Sequence, residues 1–171
     1  MKKRTHSFKG FTVLEMLLYV SVCSFLLLAL SLFLTSLFGV RVKNQSIADV
    51  NQQGQQVMKL LTETIKNAKS IEIPNIGATS SSLSVTVEDA MLSPTIFDVS
   101  SGTMRISEGG GPNILLTNSH VTVNSLLFEN ISSTSSTDRI IRVSFTIDYK
   151  NQNGRNEYTF SKSFIGSATM R

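Results

Sequence analysis

The chain has one cysteine in 171 residues, Cys23, so it can form no internal disulfide. It has two histidines, His6 and His120, and neither stands near a cysteine or a plausible acid partner. A nucleophile, a base and an orienting group cannot be assembled from such spacing, and we expect no enzyme. Glu88, Asp89 and Asp98 are too scattered for a calcium loop. The glycine run Gly109-Gly110-Gly111 is followed by Pro112 and not by the lysine and hydroxyl of a phosphate cradle. No metal and no cofactor is therefore expected. All three prolines lie at or beyond position 74, so nothing in residues 11–68 forbids a helix.

Charge is missing where it says most. Residues 16–40 contain no charged side chain. As a helix that run spans roughly 37 Å, enough to cross a hydrocarbon layer of roughly 30 Å. At its head sits a carboxylate, Glu15, and an acid at hydrocarbon depth costs at least roughly 2.5 kcal/mol without a partner. Ahead of it, residues 1–10 carry Lys2, Lys3, Arg4 and Lys9 and no acid. Those four account for the whole net charge of +4; the remaining twelve basic residues balance twelve acidic ones. The basic character is thus a targeting feature and not a nucleic-acid surface, and no nucleic-acid partner is assigned. The same charges outweigh Arg41 and Lys43, which places the N-terminus in the cytoplasm and the rest outside. A removable secretory signal needs a shorter apolar core and a small-x-small site, and residues 32–38 offer none. A plain anchor, or a leader cut ahead of the apolar run, remains.

The hexapeptide Gly10-Phe11-Thr12-Val13-Leu14-Glu15, behind a short basic leader and ahead of an apolar helix, resembles the type IV prepilin signal. The resemblance implies that a membrane prepilin peptidase cuts after Gly10 and methylates the new amine of Phe11. It makes Glu15, the fifth mature residue, the assembly carboxylate. It further implies other pilin or pseudopilin subunits, an assembly-platform membrane protein and the membrane itself as partners. Many Gram-negative major pilins pin a C-terminal loop with a disulfide, and the single cysteine here points instead to a minor subunit. The chemistry is sound apart from the family. Glycine at Gly10 allows close approach of a protease to the backbone. The freed amine of Phe11 is a cation that a neighbour's Glu15 meets in one axial register only. In a low-dielectric layer such a pair counts for far more than in water.

Beyond Val40 the pattern predicts that the helix continues to Ala68, with Ile47, Val50, Gly54, Val57, Leu61, Thr64 and Ala68 on one face. Gly54 weakens a helix by about 1 kcal/mol relative to alanine and marks a possible bend. Ile73-Pro74-Asn75-Ile76-Gly77 is expected to break the helix. The period then becomes two: Leu83, Val85 and Val87; Ile96 to Val99 with Met104 to Ile106 as partner; His120 to Phe128 with an irregularity near Ser125; Ile141 to Tyr149. Asn153-Gly154 signals a hairpin to a strand carrying Tyr158, Phe160 and Phe164. Lys162 interrupts that apolar face, so either a bulge intervenes or the strand is an edge guarded by lysine. The serines and threonines of 132–137 read as an exposed loop.

The expected fold is α+β and type IV pilin-like, a long N-terminal helix packed on an antiparallel β-sheet. Its parts are a leader at 1–10, a transmembrane and assembly segment at 11–40, and an exported domain at 41–171. Helix-then-sheet order, and an ending that closes on Arg171, are similar to J-type secretion and competence pseudopilins. The function expected is a minor pilin or pseudopilin of a pilus, a secretion pseudopilus or a DNA-uptake filament. The alternative is a membrane-anchored extracytoplasmic binding module that joins no filament.

Overall fold

The computed structural model describes residues 12–134, 138–150 and 159–170. With no proline to interrupt it, the first element is a single helix, α1 (Val13–Lys66), of 54 residues. The chain divides into two units, Met1–Arg41 and Val42–Arg171, and α1 contributes to both. Together with the strands that follow, it makes an α+β chain of one long helix and antiparallel sheets.

Within the second unit, α1 buries Ser46, Val50, Gly54, Val57, Leu61 and Ile65. This stripe differs from the expected one at both ends, where Ser46 replaces Ile47 and Ile65 replaces Thr64. Ser46 tolerates burial because its hydroxyl donates to the Val42 carbonyl at 3.1 Å. Thr64 is half-buried and its hydroxyl donates back to Leu60 at 2.9 Å.

The helix also ends before Ala68. Its last residue, Lys66, places a cation at the negative end of the helix dipole. Ala68 then opens strand β1 (Ala68–Ile73), so the break comes well ahead of Pro74. Ser70-Ile71-Glu72-Ile73 alternates polar and apolar residues and carries two β-branched isoleucines, which suits a strand better than another helical turn.

Nine strands follow α1 among the described residues, all paired antiparallel, in two sheets. The first sheet orders β1, β3 (Leu83–Val87), β4 (Thr95–Ser100), β5 (Thr103–Glu108) and β6 (Ile114–Leu115). β4 and β5 form a two-residue hairpin in which Ser101 and Gly102 both take positive φ, 52° and 74°. That is the turn whose twist matches the strands, and glycine supplies its second position without strain. A side chain at 102 would also meet Thr122 Cγ2 at 2.6 Å.

The second sheet orders β2 (Thr79–Ser80), β7 (Val121–Asn130), β8 (Ile140–Tyr149) and β9 (Ser161–Thr169). β7 carries its irregularity where expected: the register slips between Asn124 and Leu127, and Ser125 has φ 54°. β8 turns Ile141, Val143, Phe145 and Ile147 inward in strict alternation. β9 is the edge strand, and its register with β8 runs without a bulge from Asp148–Ser161 to Ile140–Thr169. Lys162 therefore stays in register; its ammonium donates to Asn51 Oδ1 on α1 at 2.6 Å and lies 5.3 Å from the centre of the Phe164 ring. The Asn153-Gly154 turn, Tyr158, Arg171 and the 135–137 part of the serine-rich loop lie outside the described residues.

One core cluster joins α1 to both sheets, and Leu61, Ile65, Leu83, Phe97, Phe128 and Phe145 are among its fully enclosed side chains. Each is worth roughly 1.5–3 kcal/mol of burial, so the cluster holds the second unit without any disulfide. Gly54 lies at its margin, where a Cβ would fall inside the Phe164 ring. Phe164 in turn stacks on Phe145 with centroids 5.4 Å apart. Gly54 is thus the socket of an aromatic side chain, and α1 keeps its hydrogen-bonded run through it.

Candidate functional site

The candidate site is the start of α1 and the apolar half that follows. Thr12 caps the helix. The backbone N–H of Glu15 donates to Thr12 Oγ1 at 3.3 Å, and that of Met16 donates to the Thr12 carbonyl at 3.1 Å. Thr-x-x-Glu is the spacing of a capping box, in which the acid three residues on answers the cap. Glu15 is half-buried, and its place in the first turn sets a negative charge at the positive end of the helix dipole. Of the expected processing and assembly residues, Glu15 is therefore positioned by α1, whereas Gly10 and Phe11 lie outside the described residues.

Past Glu15 no side chain is buried as far as position 38, and the large apolar ones are openly exposed, from Val13 at 79% to Leu37 at 48%. The few polar side chains in this stretch close on the helix itself. The hydroxyl of Ser21 donates to the Leu18 carbonyl, Ser24 to Val20 and Thr35 to Leu32, each at 2.8 Å. A hydroxyl so bonded carries little unmet polarity into an apolar medium. Cys23 is exposed on the same surface. The helix is long and apolar enough to cross a membrane, which is consistent with membrane anchoring.

The remaining candidates are dispersed. His120 lies in the turn before β7, where its backbone N–H donates to Asn118 Oδ1 at 3.0 Å. Asp98 holds Arg105 across β4 and β5 through bonds of 2.8 and 2.5 Å, and the carboxylate pushes the guanidinium pKa up. Glu88 pairs with Lys69 at 3.2 Å, and Asp89 accepts from the Met91 N–H at 2.9 Å within a turn. On β1, Glu72 accepts the hydroxyls of Thr86 at 2.6 Å and Ser84 at 3.0 Å, which hold its carboxyl below the ordinary glutamate range. Among the described residues, no group of three His, Cys, Asp or Glu side chains could hold a metal ion.

At the site the capping role of Thr12 escaped sequence reasoning, and away from it so did the packing of Phe164 on Gly54. Thr12 was legible, since Thr-x-x-Glu ahead of an apolar run is a helix-start signature. Gly54 carried no such signal, because its partner Phe164 is distant in sequence. In comparisons with known proteins, no family model, no curated protein and no solved structure matches the chain.

Proposed function

We propose that the chain is a minor pilin or pseudopilin subunit, cut between Gly10 and Phe11 and assembled into a filament through α1. The observation that carries this reading is the form of α1 itself. Its first half is apolar on every side, charge-free and headed by a half-buried carboxylate, and its second half is the core helix of a folded α+β unit. A helix of that kind can anchor the subunit in a membrane and later pack against copies of itself when drawn out of the lipid. Glu15 then pairs with the amine that cleavage creates on a neighbour. The partners are a prepilin peptidase, other filament subunits and an assembly-platform membrane protein, and the chain is a substrate of processing and not a catalyst.

Mass spectrometry of the membrane-extracted protein tests this directly. The expected mature chain begins at Phe11 with one added methyl, and Gly10→Val blocks the cut. A chain still beginning at Met1, in a host with an active prepilin peptidase, sinks the proposal. Glu15→Val should be processed normally and be lost from sheared filaments.

The capping geometry favours a second reading, a membrane-anchored binding module outside any filament. Thr12 accepts the backbone N–H of Glu15, and a carboxylate in the first turn complements the helix dipole, a local role that needs no filament. If Glu15→Val joins filaments at the wild-type level, or no filament contains the chain, that second reading is the better one.

A further inference from the structure

Among the described residues β9 is an edge of the second sheet, nine residues long. Its pairing with β8 decides which of its backbone groups are used. The Tyr149 N–H donates to the Phe160 carbonyl and the Met170 N–H to the Arg139 carbonyl, each at 2.8 Å, at the two ends of an unbroken register. Bonded residues alternate along an antiparallel ladder, so Lys162, Phe164, Gly166 and Ala168 turn their N–H and C=O groups toward β8. Ser161, Ser163, Ile165, Ser167 and Thr169 turn theirs outward, where no described strand meets them.

An edge of this kind usually carries a guard, such as a projecting lysine, a proline or a bulge. β9 has no proline and no bulge. Its one charged residue is Lys162, whose ammonium is drawn aside to Asn51 on α1 and to the Phe164 ring. The outward residues are hydroxyl residues arranged about Ile165, which is 74% exposed. Their order is the same from either end: two hydroxyl residues, isoleucine, two hydroxyl residues.

We infer that β9 pairs with β9 of a second copy of this chain, antiparallel and centred on Ile165. Outward residues can bond only to outward residues, and this register is the one that engages all of them in both copies. It sets Ser161 opposite Thr169, Ser163 opposite Ser167, and Ile165 opposite its own counterpart. Apolar and hydroxyl pairs directly across two strands favour such a sheet. Lys162 faces Ala168 and not another lysine, so no like charges meet. The contact is isologous and closes on itself, and it joins two four-stranded sheets into one in which β9 is no longer an edge. The second half of α1 runs along β9 in the same direction, with Asn51 on Lys162, Gly54 under Phe164 and Met58 against Gly166. The two-fold axis therefore sets those halves antiparallel, and the contact is separate from the α1 packing proposed above.

The test uses the purified full-length chain in detergent, with Cys23→Ser to remove the native thiol. In that background Ile165→Cys should give a disulfide dimer on mild oxidation. Ser163→Cys alone should give about tenfold less, because the register holds its two copies about 13 Å apart along the strand. Ser167→Cys alone should do the same. Mixing differently tagged Ser163→Cys and Ser167→Cys chains should restore a heterodimer to the Ile165→Cys level. Ser167→Pro added to Ile165→Cys removes an outward N–H and no bond to β8, and should lower the dimer about tenfold with an unchanged circular dichroism spectrum. Ser163→Asp with Ser167→Asp sets like charges opposite each other and should lower it as well. The pairing is overturned if Leu115→Cys, 64% exposed on the edge strand β6, cross-links as well as Ile165→Cys. It is overturned equally if Ser163→Cys alone matches the mixture, or if the paired aspartates leave the Ile165→Cys dimer intact. The assay uses the chain with or without the cut at Gly10, so its outcome does not depend on the filament reading.

Discussion

Residues 16–38 and residues 46–65 of α1 are both unbroken helix, yet the first set buries nothing and the second buries six residues. The backbone hydrogen bonds are the same kind in both. What differs is where each half finds its apolar partner. The second half finds it inside the chain, in the strands of two sheets. The first half has leucine, valine and phenylalanine on all sides and no partner among the described residues of its unit, so it calls for lipid or other helices. A helix is made by local sequence, but its solvent is chosen by the width of its apolar face.

The largest effect expected from that contrast follows from separating the halves. A fragment of residues 42–171 should fold in water and remain soluble, with a mixed helix and strand circular dichroism spectrum. The full chain should partition into detergent or membrane. A disordered fragment would show that the second unit needs the apolar half in order to fold.

Single truncations sharpen the same comparison. Leu61 is fully buried and Leu28 is 60% exposed, on one helix. Leu61→Ala should cost the fragment roughly 2–5 kcal/mol in urea unfolding, from lost transfer energy and the cavity left behind. Leu28→Ala in the detergent-solubilised full chain should leave the unfolding of the second unit unchanged. Equal losses would mean that the two halves do not stand in the different surroundings described.

Gly54 gives an effect of intermediate size. Adding one methyl there drives it into the Phe164 ring, which Phe145 backs and which is only 9% exposed. Overpacking of this kind costs roughly 1–3 kcal/mol, against a helix-propensity gain of about 1 kcal/mol for alanine. Gly54→Ala should therefore destabilise the fragment modestly, and Phe164→Leu should remove most of the penalty in a double-mutant cycle. If Gly54→Ala is stabilising in the wild-type background, the socket role is wrong.

Much of this was readable in advance wherever a pattern is local. Alternation in 141–147 predicted an inward face, and the short apolar runs predicted the partnership of Ile96 to Val99 with Met104 to Ile106, whose register sets Asp98 opposite Arg105. The end of α1 was misjudged because Ala68 fits a helical stripe and a strand equally well, and pairing with Val87 of β3 decides between them. Ile47 and Ser46 show the same limit. A hydrophobic residue one position off the stripe looks like core until packing selects the serine that can bond its own helix. Glu15 stood out as the one acid leading a charge-free run, yet its bond to Thr12 depends on where the helix starts, which hydropathy alone does not say.

The smallest effect concerns charge, and it separates the halves by pH. In the second unit, Glu72 is held ionised by the hydroxyls of Thr86 and Ser84, in that order of influence, against a minor opposing effect of desolvation. Its folded pKa lies below that of the unfolded chain. The stability it adds is therefore complete above the ordinary glutamate range and is lost as pH falls through the lowered folded value. Glu72 is exposed, so the contribution is small and salt-screened. Glu72→Gln should flatten the acid limb of the fragment's stability curve as pH falls through and below the ordinary glutamate range, and leave the remainder of its shape unchanged. Thr86→Val should do most of the same, Ser84→Ala less. The apolar run has no carboxylate beyond Glu15 at its head, so partition of the full chain into membrane should not follow this curve. An acid limb that keeps its slope in Glu72→Gln would assign the pH dependence to other carboxylates. Partition that tracks the Glu72 curve would mean that the folding of the second unit governs how the first meets the membrane.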